Sequence, residues 1–376
     1  MSMRWQAAIV KPGFNPLGTQ TATLGYNLLT WGYNADGELG LNNRTYYSSP
    51  KQVGSLTDWS SISSGYQHSA LIKSDGTLWT FGINSNGQLG LGNTTKYSSP
   101  KQVGALTNWS TIASGRNYTL ATKTNGTLWS WGSNAFGQLG LFNLTSYSSP
   151  KQIGVLTTWS KIATGGFHSL GIKTDGTLWS WGQNSYGQLG YGTTASNYSS
   201  PLQIGALTTW ASIVGGQNHT VAVKTDGTLW TWGYNEFGML GIGNITNYSS
   251  PKQVGALTTW LTISASGYST YSIKTDGSLW SWGYNSYGGL GLGNITKYSS
   301  PKQVGALTNW SQISGAKSGS FVASIKTDGT LWSWGVNNYG QLGSGNIIYY
   351  SSPKQVGSLT TWQKVSCGNT HTVAIG

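Results

Sequence analysis

Four histidines, nine carboxylates and a single cysteine are the residues of this 376-residue chain whose side chains could serve acid–base, metal or nucleophilic chemistry. A metal centre needs its ligands gathered at one point. His68, His168, His219 and His371 instead occupy one slot of a repeat, filled elsewhere by Tyr118 and Phe321, so they fall in separate structural units and read as a packing or hydrogen-bonding position. Asp75, Asp175, Asp226, Asp276 and Asp328 all precede glycine in the same turn, where a short acceptor side chain suits the backbone. That leaves Asp36, Glu38, Asp58 and Glu236, from which no paired general acid and base can be assembled. Cys367 fills a slot held by Ser64 and Ser114, so it reads as a small packed residue, and a lone cysteine allows no disulfide within the chain. The GQLGLGN stretch has the glycine spacing of a phosphate loop, but it recurs in nearly every repeat and opens no helix, which makes it turn chemistry. Together these readings point away from an enzyme, and neither metal nor cofactor is expected.

The elements that carry these residues are copies of one another. Trp-Gly or Phe-Gly recurs at residues 31, 81, 131, 181, 232, 282 and 334, a period near 50 rich in Gly, Trp and Thr that predicts an all-β, seven-bladed β-propeller. Within a blade, strand A is the WSxI run from Trp59 to Ile62, strand B the alternating run from His68 to Lys73, and strand C the TLWTFG run with Trp79 and Phe81 on one face. Asp75-Gly76 between B and C predicts a two-residue type I′ turn. Seven of the nine prolines, at 50, 100, 150, 201, 251, 301 and 353, precede Lys-Gln-Val or its equivalent, which predicts that strand D starts after the proline on an outer edge. Residues from His371 onward align with His68–Lys73, while Asn27 to Trp31 occupy the register of Thr77 to Phe81. The seventh blade is therefore expected to be completed from both ends, closing the ring over residues 25–376.

Charge and variation then suggest surfaces. The net charge of +12 comes from only 8% charged residues. Lysines such as Lys73 and Lys173 have a turn aspartate two residues away and read as balanced, whereas Lys51, Lys101, Lys151, Lys252, Lys302 and Lys354 follow the prolines without an acidic neighbour. They predict a positive belt around the upper rim, able to attract nucleic acid, anionic polysaccharide or an acidic protein, or else serving only to protect edge strands. The A–B and C–D loops share one face, here the top. Its residues vary from copy to copy while the GALT and KTDG turns below stay uniform. Tyr33, Tyr66, Arg116, Phe136, Phe167, Tyr186, Tyr234, Phe237, Tyr284, Tyr287 and Tyr339 lie in those top loops and make a surface suited to binding a protein. No apolar run approaches the ~18 residues needed to span a membrane, so no membrane insertion is expected. The start of the chain lacks an apolar signal-peptide core, and residues 1–24 form an arm outside the repeat, with Trp5, Ile9 and Phe14 as its apolar anchors.

The text GYQHSALIKSDGTLWTFGINSNGQLG, residues 65–90, resembles the repeat of the regulator of chromosome condensation family, and phased copies cover residues from about 25 to 376. The resemblance implies a seven-bladed propeller. In exchange-factor members it would also imply an inserted β-wedge acting on a GTPase, for which these regular intervals leave no room. In the plant ultraviolet-B photoreceptor it would imply tryptophans before the histidine slot, where this chain has Tyr66-Gln67, Arg116-Asn117, Gly166-Phe167 and Gln217-Asn218. The near-identical repeats, low charge and short leader are also similar to members of this family encoded by tailed bacteriophages. That likeness implies a virion component binding a neighbouring virion protein or a host-surface receptor. The alternative is a cytoplasmic scaffold that binds chromatin or a small GTPase.

Overall fold

The computed structural model describes residues 26–376, so the expected arm with Trp5, Ile9 and Phe14 lies outside the described residues. Alternation of apolar and small polar residues, broken by glycine turns, gives antiparallel strands and no helix among the described residues. Blade 1 consists of Trp59–Ser64, His68–Lys73, Leu78–Gly82 and Tyr97–Gln102 in that spatial order, A to D. Five more blades follow the same order. Blade 7 is assembled from Lys364–Cys367 and His371–Ile375 joined to Leu28–Gly32 and Tyr47–Gln52. The seam ladder runs from Leu28↔Ile375 to Gly32↔His371, and Asn27 and Gly376 exchange backbone hydrogen bonds of 3.0 and 3.1 Å just beyond it. Seven sheets and a closed ring are what the repeat predicts.

Strand A of each blade packs on strand A of the next, which places A innermost and D outermost. Burial follows that order: strand B is buried along its length, and strand D is half-buried to exposed. The core lies between blades. One cluster joins Ile72 and Leu78 of blade 1 to Trp109, Ala121 and Trp131 of blade 2. Trp131 is fully buried, and its indole N–H donates to the Gln88 carbonyl of the preceding blade at 2.9 Å. Trp31 makes the same bond to Gln341 across the last boundary. Each indole of the Trp-Gly slot thus contributes apolar area while its one donor is satisfied by the neighbouring blade.

Two local expectations are corrected. In the B–C turn, Gly76 donates to the Lys73 carbonyl and Lys73 to the Thr77 carbonyl, both at 3.0 Å, and only Gly76 has positive φ, at 78°. This is a type I turn closed by a left-handed glycine, not a type I′ turn. The reason is the aspartate, whose Oδ1 accepts the Thr77 N–H at 2.9 Å and hydroxyl at 2.7 Å, a bridge that spans three loop residues. Strand D, in turn, begins at Tyr47 and runs through Pro50. The ladder pairs Gly32 with Tyr47 and then Thr30 with Lys51, so Ser48, Ser49 and Pro50 bulge opposite Trp31 and the proline needs no donor there.

At the equivalent turn of blade 2, a Cβ on Gly126 would lie 2.0 Å from the Thr157 carbonyl oxygen, and φ is +76°. Gly126→Ala is expected to cost about 2 kcal/mol or more, from left-handed strain plus the clash. Chemical denaturation checks this against Gly104→Ala, which has positive φ but open space and should cost less.

Candidate binding face

The top loops are held rigidly by residues the repeat keeps constant. Asn84, buried beyond the Phe81-Gly82 pair, donates from Nδ2 to the carbonyls of Asn93 and Thr95 at 3.0 and 2.9 Å, and its Oδ1 accepts the Leu89 N–H. Gly87, at φ +78°, passes so close to the next blade that a Cβ would sit 2.5 Å from the Ser148 Cα. The GQLG stretch is therefore a bracket between blades. It holds the variable residues around it on a fixed frame, which lowers the entropy that a contact with them would cost.

On that frame the variable aromatics meet in three groups. Tyr33 lies 4.8 Å from Tyr46 and 4.9 Å from Tyr339, ring to ring. Burial and a hydrogen bond with Tyr46 push the Tyr33 phenol up to about 12. In the second group the Arg116 guanidinium stacks between Tyr66, at 4.9 Å, and Phe167, at 5.1 Å, and Phe136 packs on Phe167. The third joins Tyr186, Tyr234, Phe237, Tyr268, Tyr284 and Tyr287 around a bowl of about 410 Å³ that also exposes Asn218, Ser318 and Ser320. All eleven sequence-predicted top residues fall in these groups.

Tyr46, Tyr268, Tyr349 and Lys297 complete them and were missed. For Tyr46, Tyr349 and Lys297 the signal was available: the slot before the repeated Tyr-Ser-Ser-Pro reads Tyr46, Lys96, Ser146, Asn197, Asn247, Lys297 and Tyr349, as variable as the slots that were read, and Tyr268 fills the slot of Phe167. Also missed was an apolar outer fringe of the C–D loops, where Leu144, Ile245, Ile295 and Ile347 are each at least 60% exposed.

The four histidines are engaged in holding blades together. His68 Nε2 bonds the Thr119 hydroxyl of the next blade at 3.0 Å, and His168 with Thr220, His219 with Thr270 and His371 with Ser69 repeat the contact. Burial pushes all four imidazoles down to about 3, so they are neutral. Glu38 stands where blades 1 to 3 have glutamine. Burial pushes its carboxyl up to about 7, and Oε2 accepts the Asp36 N–H at 2.8 Å. The Cys367 thiol is buried and pushed up to about 12, so no reactive thiolate forms at neutral pH.

The lysines sit differently from the expectation. Lys51 pairs with Thr30 in the middle of strand C, so the belt of Lys51, Lys101, Lys151, Lys252, Lys302 and Lys354 circles the outer wall below the top rim. Each ammonium lies 5.1–5.7 Å from the ring of the tyrosine four residues earlier. The other set forms no ion pair with the turn aspartates among the described residues, although their charges lie close enough to favour the ammonium. Lys73 pairs with Asp58 at 3.3 Å, while Lys173 is clamped between Trp159 and Trp179, 5.2 and 3.4 Å from the ring centroids. Among the described residues the ion pairs are Lys73–Asp58 and Lys96–Asp36. Position 58 becomes Asn108, Thr158, Thr209, Thr259, Asn309 and Thr361 in the other copies, which leaves their lysines to the indole faces.

Seven radially arranged four-stranded sheets with loop-borne aromatics on one face define a seven-bladed β-propeller. The chain belongs to the RCC1-like domain family: the sequence model of that domain matches residues 19–322, and that of the regulator of chromosome condensation (RCC1) repeat matches residues 328–375. A segment of 53 residues is 43% identical to protein RCC2 homolog of Xenopus laevis, spanning 14% of this chain and 10% of that protein. Among solved structures, human WBSCR16 superposes with a TM-score of 0.84 at 22% identity, over 94% of this chain and 99% of that one. Prp20p from Saccharomyces cerevisiae, described with its binding properties to Gsp1p and histones, superposes with a TM-score of 0.82 at 19% identity, over 94% and 92%.

Proposed function

We propose that this protein is a non-enzymatic interaction scaffold of the cell that binds a protein partner through its top face, with chromatin components or a small GTPase as the partner class. The observation that carries this reading is the gathering of the variable aromatic side chains, half-buried and rigidly framed, on one face of a ring whose opposite turns are uniform. Such side chains supply contact area at little entropic cost. Membership of the RCC1-like family and the segment shared with an RCC2 homolog support a cellular scaffold over a virion component, and the binding properties described for Prp20p support proteins as partners. The lysine belt adds a salt-sensitive attraction that assists encounter more than it fixes affinity.

The uniform face offers a rival surface, since Leu56, Leu106, Leu156, Leu207, Leu257, Leu307 and Leu359 are each about half exposed around it. Titration of the purified chain with core histones and with a Gsp1p-type protein decides between the faces. The expected result is binding by one of them that Tyr33→Ala with Tyr339→Ala weakens roughly 30-fold, about 2 kcal/mol for a hot-spot pair, with the melting temperature unchanged. Absence of binding to both, or loss only when Leu156 and Leu207 are made serine, would overturn the proposal.

A further inference from the structure

The second and third aromatic groups are two copies of one arrangement. Phe136 in a C–D loop packs on Phe167 in the following A–B loop at 5.0 Å, and Phe237 packs on Tyr268 in the same relation at 5.6 Å. In the first copy the cation is built in, because Arg116 from the preceding A–B loop lies against Phe167. In the second copy the slot of Arg116 is Gln217, and the space beside Tyr268 is the open bowl lined by Tyr186, Tyr234, Tyr268 and Tyr284. The residue next to the phenylalanine changes as well. Ala135 in the first copy becomes Glu236 in the second, where it is exposed and accepts a hydrogen bond from the Tyr234 hydroxyl.

We infer that this bowl takes a guanidinium side chain from the partner, an arginine seated where the first copy carries Arg116. The inference rests on the top face being the partner-binding face. Aromatic faces attract a cation, and a carboxylate beside them adds to the attraction. Glu236 is well placed to do so. On the top face, Asp36 is committed to Lys96 at 2.6 Å and Glu38 is buried, while Glu236 pairs with no lysine among the described residues. Lys297 already lies over the rim rings, 4.8 Å from Phe237 and 5.2 Å from Tyr284, so these faces do accept cations. The same lysine opposes a second cation, and the Glu236 carboxylate offsets it. A guanidinium suits the space better than an ammonium because it stacks in plane as Arg116 does and is more weakly hydrated.

The test uses the full chain and two blocked tripeptides, Gly-Arg-Gly and Gly-citrulline-Gly, followed by ligand-observed NMR. Citrulline keeps the planar shape and removes the charge. The arginine peptide is expected to bind and the citrulline peptide to bind at least about tenfold more weakly, as a desolvated cation–π contact requires. Glu236→Gln should weaken the arginine peptide and leave the melting temperature unchanged. Gln217→Arg should restore the internal cation, fill the bowl and abolish peptide binding. Equal binding of the two peptides, binding of neither, or a Gln217→Arg variant that binds as the parent does would each overturn the inference. If histone or Gsp1p-type binding still depends on Tyr33 and Tyr339 in that case, the top-face reading stands and only the arginine assignment falls.

Discussion

Removal of residues 372–376 should abolish the closed ring, leaving a chain that melts far below the parent or exposes its core at room temperature. These residues are most of the strand that pairs with Leu28–Gly32 on one side and Lys364–Cys367 on the other, so their loss deletes two ladders at once. Val373, Ala374 and Ile375 are buried, Val373 and Ile375 in a cluster with Leu28, Leu71 and Phe81, and Ala374 in another with Trp31, Phe321 and Trp362. Burying a Val or Ile side chain contributes about 1.5–3 kcal/mol. Two of them with the lost backbone bonds reach about 5 kcal/mol or more, a large part of the ~5–15 kcal/mol typical of a folded domain. Opening the seam also frees the inner edges of Leu28–Gly32 and Lys364–Cys367, which adds a tendency to aggregate. Calorimetry and sedimentation read both effects. A truncated chain that melts with the parent and stays monomeric would show that the other six blades hold the ring without this strand.

The sequence reading reached the fold because the repeat states each element seven times. A period near 50 with aromatics two apart on strand C leaves few other architectures. It also reached the structural role of the histidines, because a slot that tolerates Tyr118 and Phe321 is a packing or hydrogen-bonding slot. What it missed depends on directions that spacing does not carry. Strand D was expected to start after the proline because a proline cannot donate to a ladder, but the bulge opposite Trp31 removes that demand and lets the strand begin four residues earlier, at Tyr47. The turn was misread because Asp-Gly fits both a two-residue and a three-residue loop, and the choice is made by the Thr77 hydroxyl bond to Asp75. The belt height followed from the same error in strand D. The third aromatic group is assembled from blades 3 to 6, so the juxtaposition of Tyr186 with Tyr268 exists only once these successive blades have packed on one another.

Acid should unfold this protein through its histidines, at a pH well above that at which its turn aspartates are lost. Each of the four imidazoles falls from an ordinary value of 6.5 to about 3 on folding, so between those values the unfolded chain binds more protons. Their contribution is fully present above about pH 6.5 and is lost as pH falls toward 3, at about 1.4 kcal/mol per pH unit for each histidine. Glu38 acts in the opposite sense. Its folded value is raised from 4.5 to about 7, so its contribution is fully present below pH 4.5 and is lost as pH rises through 7, and acidification returns part of it. Four groups against one leave a net loss of roughly 4 kcal/mol per pH unit between about 6.5 and 4.5, enough to exhaust a typical domain stability within that window. The turn aspartates, held below the ordinary carboxylate range by the hydroxyl and N–H of the residue two further on, add their losses only at lower pH. The cause can be isolated because Phe321 already occupies the histidine slot in blade 6, fully buried. Replacing His68, His168, His219 and His371 by Phe removes the titrating group, while the Thr119 hydroxyl keeps its bond to the Gln88 carbonyl at 3.0 Å. Denaturant unfolding measured from pH 7.5 to 4.5 should show a steep decline in the parent and a nearly flat or slightly rising line in the quadruple variant, where the Glu38 term remains. An equally steep decline in both would assign the acid sensitivity to other groups.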